Sequence, residues 1–223
     1  PLANGQKLGV LASLNYTHKY ERYQDMILRE FRPNAADERG FDNRLDYRIE
    51  RGVEKIVWGA FGKVSYLPAK NHKISVSGLH SQLADDTTSF FQGTNADAQA
   101  RFSASQLDWV QRSLTFGVVS GRHDFHDLND AELAWDLAMA TARRYQPDRR
   151  DTVYQYNGRV RDPANPTEPA TGWTYVPQSE SGRHFFANQT EDSAGGKIDW
   201  RQPFLQGSTD LALKLGGLIN VKQ

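Results

Sequence analysis

Residues Leu107 to Ala140 contain the clearest alternation of apolar and polar residues in the chain. They read LDWVQRSLTFGVVS over residues 107–120, GRHDFHDLND over 121–130 and AELAWDLAMA over 131–140. The first arm has apolar residues at alternate positions, namely Val110, Leu114, Phe116 and Val118. The second arm does the same at Leu133, Trp135, Leu137 and Met139. Alternation with a period of two on both sides of a short polar corner predicts an antiparallel hairpin with one apolar face.

The second arm has an alternative interpretation as a helix. Asn129 and Glu132 have the spacing of a capping box, and the alanines and leucines of residues 131–144 are good helix formers. The strand is favoured because alternation of the same kind recurs throughout the chain, and the helix remains the alternative for this segment.

Composition excludes several functional classes. Of the 223 residues, 27 are basic and 27 acidic, so the net charge does not favour binding to nucleic acid. Cysteine is absent, which excludes disulfide scaffolds and thiolate metal sites. There is no nucleophile elbow, phosphate-binding glycine loop or Ser–His–Asp arrangement, so we predict neither an enzyme nor a bound cofactor.

About seven strands are predicted, joined by connections that alternate between long and short. Charged or polar segments at 31–43, 84–104 and 157–182 are interpreted as long loops, and 67–72, 121–130 and 205–210 as short corners. No run of about 18 apolar residues is present to form a membrane helix. Short turns at one end and long loops at the other are typical of outer-membrane barrels. The predicted fold class is therefore all-β, a segment of an antiparallel up-and-down transmembrane β-barrel.

Aromatic residues are placed as a membrane barrel would need them. Trp58 and Tyr66 share a face eight positions apart, which is roughly 26 Å at about 3.3 Å per residue. That length approaches the apolar band of an outer-membrane barrel, which aromatic girdles flank. We predict membrane-interface positions for Trp58, Tyr66, Trp135 and Phe204.

Three stretches resemble the barrel of TonB-dependent outer-membrane receptors. These are Arg143–Tyr154, which reads RRYQPDRRDTVY after an alternating strand, Gly195–Trp200, which reads GGKIDW, and Leu213–Ile219, which reads LKLGGLI. The resemblance extends over essentially the whole chain. Members of this family have about 22 strands closed around a plug domain. On this basis residues 1–223 are a partial barrel domain, with the plug, the TonB-binding segment and the terminal strand outside it.

The resemblance implies active uptake across the bacterial outer membrane. The expected partners are the lipid of that membrane, the TonB complex acting through the plug, and a scarce ligand such as a siderophore, a cobalamin, an oligosaccharide or a peptide. Two rival hypotheses are a porin without a plug and a soluble β-rich carbohydrate-binding or adhesin module, in which the apolar faces form a sandwich core.

Candidate ligand contacts are aromatic residues on or beside the predicted outer loops, since such loops carry function. They are Phe90, Phe91, Trp173, Tyr175, Phe185 and Phe186. The cluster of His123, His126, Asp124 and Asp127 lacks the spacing of a metal site and is interpreted as a solvated turn, so no metal is predicted. The charged residues of 148–151 are interpreted as cross-strand ion pairs.

Overall fold

The chain folds into strands almost throughout. A computed structural model describes residues 6–34, 37–156, 172–177, 181–205 and 211–223. The strands are β1 (Lys7–Asn34), β2 (Asp37–Ala69), β3 (His72–Asn95), β4 (Ala100–Phe125), β5 (Ala131–Tyr156), β6 (Trp173–Tyr175), β7 (Arg183–Leu205) and β8 (Leu211–Lys222). One 3-10 turn, His126–Leu128, interrupts them. In these ranges no helix is long and apolar enough to span a membrane.

The strands form one open sheet with neighbours in chain order. Its path is β1-β2-β3-β4-β5-β7-β8, and β6 pairs with β5 beyond the end of β7. Every pairing is antiparallel. The predicted all-β, antiparallel up-and-down architecture is therefore confirmed. Residues 131–144 lie within β5, so the helical alternative for this segment is wrong.

The two ends of the sheet differ in their connections. At the short-turn end, residues 70–71 join β2 to β3 and residues 126–130 join β4 to β5. At the opposite, distal end, residues 96–99 join β3 to β4, and Asn34 of β1 pairs with Asp37 of β2. The side chain of Asn95 closes the 96–99 turn by accepting hydrogen bonds from the backbone amides of Asp97 (2.9 Å) and Ala98 (3.3 Å).

Two of the predicted long loops are paired strand. Residues 31–34 and 37–43 pair with each other at the distal ends of β1 and β2, and most of 84–104 belongs to β3 and β4. The prediction of alternating loop lengths is wrong there, because strands of 24 to 33 residues replace the loops. Both faces are polar in these extensions, so no alternation marks them as strand. Of the third predicted loop, residues 157–171 and 178–180 lie outside the described ranges.

The pairing register gives the sheet two distinct faces, because directly opposed residues of antiparallel strands project to the same side. One row of opposed residues, from β1 to β8, is Val10, Val64, Val76, Val119, Leu137, Gly196 and Ile219. The next row, on the other side, is Leu11, Lys63, Ser77, Val118, Ala138, Gly195 and Asn220. We call these sides the apolar face and the polar face.

The alternation of β4 is the exception to the predicted pattern. Val118 lies opposite Ala138 on the polar face, whereas Leu137 lies opposite Val119 on the apolar face. The prediction that the hairpin's two apolar series share one face is therefore wrong. The reason is the 126–130 connection, which pairs Phe125 with Ala131 and so sets the relative parity of the two arms.

The fully buried polar side chains lie on the polar face, although Leu11, Leu114 and Phe116 of that face are exposed. On the apolar face Leu14 is 78% exposed and Met139 is 72% exposed. On the polar face Ser75, Ser89 and Gln146 are 5%, 1% and 2% exposed. Side chains crowd together on the concave side of a curved sheet, so this contrast indicates that the polar face is concave.

Candidate functional site

An exposed apolar band crosses the apolar face near the short-turn end. The rows through Gly62, Val64 and Tyr66 carry no Asp, Glu, Lys or Arg on this face over the seven strands of the main path. The exposed large apolar residues of the band are Leu8, Val10, Leu14, Tyr16, Val64, Ile74, Val76, Val119, Leu137, Met139, Ile198, Leu213, Leu215, Ile219 and Val221. A contiguous patch of this extent marks a surface that meets lipid or protein.

The band runs obliquely across the strands. The row through Trp58 is Tyr16, Trp58, Gln82, Ser113, Arg143 and Thr190, so it is aromatic on β1 and β2 and polar from β3 onward. On β5 the band ends at Met139, whose row meets β2 at Gly62, four residues from Trp58. From β2 to β5 the edge of the band therefore shifts by four residues, roughly 13 Å along the strands, over three strand spacings of roughly 14 Å in total. This shift corresponds to strands inclined by roughly 40° to the normal of the band. Strands of closed barrels are tilted by about 35–45°.

A cluster of aromatic and histidine rings borders the band at the short-turn end. The Trp135 indole N–H donates to Nε2 of His123 at 3.2 Å, and Nδ1 of His123 lies 3.1 Å from Nδ1 of His72. Phe125 extends the cluster, with its ring centre 5.9 Å from that of Trp200. This cluster holds Trp135 at the edge of the band. Sequence reasoning missed it because the rings meet only through the pairing of four strands.

Three of the predicted interface aromatics, Trp58, Tyr66 and Trp135, lie on the apolar face of the structure, and Phe204 lies at a break in the register between β7 and β8. Trp58 lies at the distal edge of the band on β2, with its ring centre 4.9 Å from that of His80. Tyr66 lies opposite Leu8 and Ile74, nearer the short-turn end. Phe204 is 58% exposed near the end of β7. Their contact with a membrane interface stays a prediction.

A separate pocket of about 310 Å³ lies at the distal end of the polar face. It is lined by Leu28, Tyr47, Phe91, Asn95, Ala98, Phe102, Ala104, Val153, Val176 and Ser181. The segment after β6 borders it, because the Val176 amide donates to the Val153 carbonyl at 3.0 Å. The Ser181 hydroxyl binds both backbone groups of Val153, at 2.9 and 3.0 Å. Three rings from three strands therefore surround a largely apolar cavity, which is typical of small-molecule sites.

A buried carboxylate lies beside this pocket. Asp151 is two residues before Val153 on β5, is 8% exposed, and accepts hydrogen bonds from Gln106 at 2.8 Å and from Arg183 at 2.7 and 3.1 Å. Arg149 adds a contact at 3.3 Å. Burial, the largest single influence, raises the pKa of Asp151, but these hydrogen bonds and the charge of Arg149 outweigh it and lower the pKa below 3.8. Asp151 therefore stays ionised near neutral pH.

Positive charge is in excess around Asp151. Arg51, Ser89, Gln106, Asp151 and Arg183 form one row across β2, β3, β4, β5 and β7. Arg51 donates to the Ser89 hydroxyl at 3.1 Å rather than to a carboxylate. The guanidinium groups of Arg51, Arg149 and Arg183 thus share this face with two carboxylates, those of Asp151 and Asp108. Asp108 accepts a hydrogen bond from Gln146 at 2.6 Å. The arrangement suits a ligand that carries a flat apolar group and a negative charge.

The six predicted ligand contacts are not brought together. Phe91 lines the distal pocket, whereas Phe90 lies on the opposite face of β3; both belong to a strand, so their prediction as loop residues is wrong. On β6, the ring centre of Trp173 is 5.3 Å from that of Tyr156, and the ring centre of Tyr175 is 6.1 Å from that of Tyr154. Phe185 and Phe186 are exposed on β7. Ligand contact by any of them stays a prediction.

The charged residues of 148–151 form ion pairs both along and across strands. Arg150 pairs with Asp148 at 2.6 Å within β5, and His184 of β7 reaches Asp148 at 2.7 Å. Of the two histidines considered as metal ligands, His126 hydrogen-bonds to Asp130 at 2.6 Å, and His123 belongs to the cluster of rings beside the band. The ranges that the structure describes contain no group of three or more metal-ligating side chains.

Sequence reasoning missed most of the distal pocket. Leu28, Tyr47 and Phe102 come from segments whose two faces are both polar or mixed, and a β-bulge at Asp25 (φ 55°) changes the parity of β1 before Leu28. No local sequence pattern indicates that these residues lie close together. Only the pairing of β1 through β5 brings them together.

Comparison with known proteins identifies no relative of this chain: no protein-family model, curated protein or solved structure matches it significantly.

Proposed function

We propose that this chain forms part of the wall of an outer-membrane β-barrel of the TonB-dependent receptor type, which takes up a scarce ligand. The observation that carries the proposal is the oblique, uncharged and exposed apolar band. A soluble sandwich buries such a surface against a second sheet, and the described residues contain only one sheet.

The dimensions of the band support a lipid-facing role. From Trp58 to Tyr66 the strand covers roughly 26 Å at about 3.3 Å per residue. Inclined by roughly 40°, this length spans roughly 20 Å of the membrane normal, close to the apolar band of roughly 25 Å in outer-membrane barrels. The strands continue beyond the band at the distal end, which we assign to the outside of the cell. The edge strands β1 and β8 would then pair with further strands of the barrel.

The distal pocket supports a receptor rather than a simple diffusion pore. An aromatic cavity beside an excess of arginine gives a specific site on the concave, lumen-facing side. Uptake from such a site would use a plug and the TonB complex, as the resemblance implies. A porin, the rival proposal, needs no such site.

The lipid-facing role is tested with the chain refolded into phospholipid vesicles and with single-tryptophan variants. The five tryptophans divide into Trp58, Trp135 and Trp200 at the band and Trp109 and Trp173 in the distal extension. We expect lipids brominated on their acyl chains to quench the first three and to leave the other two unchanged. Equal quenching at all five, or none, would refute the membrane assignment.

The ligand-binding role is tested separately by replacing Phe102 with Ala, which removes one ring from the distal pocket. Binding of a panel of anionic aromatic compounds to the refolded chain is measured by calorimetry, with Phe186→Ala as the control outside the pocket. We expect binding that Phe102→Ala weakens and Phe186→Ala leaves unchanged. No binding by the folded chain would count against a receptor and favour a porin.

A further inference from the structure

A cationic pocket lies on the polar face at the short-turn end, far from the distal pocket. Its volume is about 320 Å³, and Lys63, Lys73 and Arg122 project into it from β2, β3 and β4. Ser75 and Ser120 form its floor, and the Ser75 hydroxyl, which is nearly inaccessible, is 2.9 Å from that of Ser65. Three cations and a hydroxyl floor therefore share one concavity.

Two of these cations are directly opposed across the sheet. Lys73 of β3 pairs with Arg122 of β4, so their Cβ atoms are about 4.5–5.5 Å apart. Like charges at directly opposed positions destabilise a sheet. The pairing of these two strands is specified by their other residues, so this arrangement contributes nothing favourable to the fold by itself.

The positive charge of the pocket is not neutralised by the protein. Asp136 is the one acidic residue that lines it, and among the described side chains no carboxylate lies within ion-pair distance of Lys63, Lys73 or Arg122. Lys63 is half-buried, whereas Lys73 and Arg122 are exposed at the mouth of the pocket, where a ligand from solution can reach them.

The neighbouring pocket on the same face contains two paired cations beside Lys214. It is lined in part by Lys197 and Arg201, and each has a carboxylate partner. Lys197 pairs with Asp199 at 2.6 Å, and Arg201 pairs with Glu132 at 2.9 Å. The two pockets therefore differ in that Lys63, Lys73 and Arg122 all lack a carboxylate partner among the described side chains, whereas two of the three cations of the neighbouring pocket have one.

We propose that this pocket binds a small multivalent oxyanion of the phosphate class. Lys73 and Arg122 would hold it from two sides, with Lys63 and the serine hydroxyls supplying further donors. The inference does not depend on the membrane assignment, because the pocket is formed by side chains of β2, β3, β4 and β5 within one sheet. If the sheet is a barrel wall, the pocket faces the lumen near the periplasmic end.

The test is calorimetric titration of the folded full chain with inorganic pyrophosphate at constant ionic strength. We expect saturable binding that the double variant Lys73→Gln, Arg122→Gln weakens by about tenfold or more, since each charged contact contributes substantially. Lys197→Gln, which removes a paired lysine, is the matched control and should bind like the parent chain.

A second variant separates binding from folding. Arg122→Glu places a carboxylate opposite Lys73, so we expect its melting temperature to be at least that of the parent chain while pyrophosphate binding is lost. Three results would overturn the proposal: equal binding by the double variant, equal heat from chloride at matched ionic strength, or binding only to vesicles that contain phosphatidylglycerol. The last would mean a lipid headgroup rather than a free oxyanion.

Discussion

The two halves of each long strand have the same backbone and different side-chain chemistry. Near the short-turn end, the apolar face is uncharged along three successive rows, and the polar face carries the ionic side chains. In the distal half both faces carry ion pairs: Asp148 with Arg150 lies on one side of β5, and Asp151 with Arg183 on the other. The hydrogen-bonded ladder runs continuously through both halves.

Strand pairing and the preference for water or lipid are therefore specified separately in this sheet. The backbone N–H and C=O groups of neighbouring strands hydrogen-bond to each other whether the sheet lies in water or in lipid. The side chains then decide which part of the sheet tolerates an apolar surrounding. A single strand such as β5 can therefore cross from a lipid-compatible segment, Leu133–Met139, into a segment suited to water and ligand.

The largest effect should come from a charge placed within the band. Leu137→Arg should destabilise the membrane-inserted chain by about 2–4 kcal/mol, the cost of Arg near the midplane on a lipid face. Ala138→Arg, one residue away on the polar face, should cost less than about 1 kcal/mol, as substitutions outside a packed core usually do. Urea unfolding in lipid vesicles measures both, and equal costs would remove the distinction between the faces.

The next effect concerns the distal half. Asp151→Asn leaves Arg149 and Arg183 without their shared carboxylate, and we expect a loss of about 2 kcal/mol in local stability, typical of hydrogen bonds to a charged group. Hydrogen exchange of the amides around Arg183 measures it. The band amides around Leu137 should keep their protection; their loss as well would show that the halves unfold as one unit.

Acidification should reproduce part of that effect. The folded-state pKa of Asp151 is lowered, so its stabilisation is present above the ordinary value of 3.8 and is lost as the pH falls through the lowered value. Distal protection in the parent chain should therefore decrease below pH 3.8, and Asp151→Asn should lack this component. An unchanged pH dependence in the variant would assign the transition to other groups.

A smaller effect should mark the edge of the band. A Cβ at Gly121 would lie 2.3 Å from the Trp135 indole, so Gly121→Ala should displace that ring at a cost of about 1–2 kcal/mol. Gly117 lies on the same face of β4 with nothing within 4 Å of a new Cβ, and Gly117→Ala should be tolerated. Urea unfolding and Trp135 fluorescence compare them, and equal responses would show that the indole packs elsewhere.

The sequence predicts the band better than the pocket. Alternation within a strand assigns Val64, Ile74, Leu137 and Ile198 to faces, since one-sided burial has a period of two. Alternation within one strand does not specify which of its faces lies beside the apolar face of the next strand, as β4 illustrates. The parity of Val118 depends on the 126–130 connection, in which Asn129 (φ 53°) and Asp130 (φ 56°) adopt left-handed conformations.

The distal half has no comparable signal. Tyr47 and Phe102 have polar residues on both sides, and Phe91 follows Phe90 in an otherwise polar segment, so these strands resemble loops. That the three rings meet cannot be predicted before the register is known. The same holds for Lys73 and Arg122, which are 49 positions apart in the chain and directly opposed in the sheet. Long-range pairing specifies both sites.

Whether the tilted band faces lipid is tested by comparing two positions on one row of the sheet. Because the chain contains no cysteine, single cysteines can be introduced at Trp58 and at Arg143 and spin-labelled in lipid vesicles. The two positions share a row, but the oblique band includes only the first. A lipid-facing, tilted wall predicts that oxygen relaxes the label at 58 and that a water-soluble nickel complex relaxes the label at 143. Water accessibility at both would contradict it.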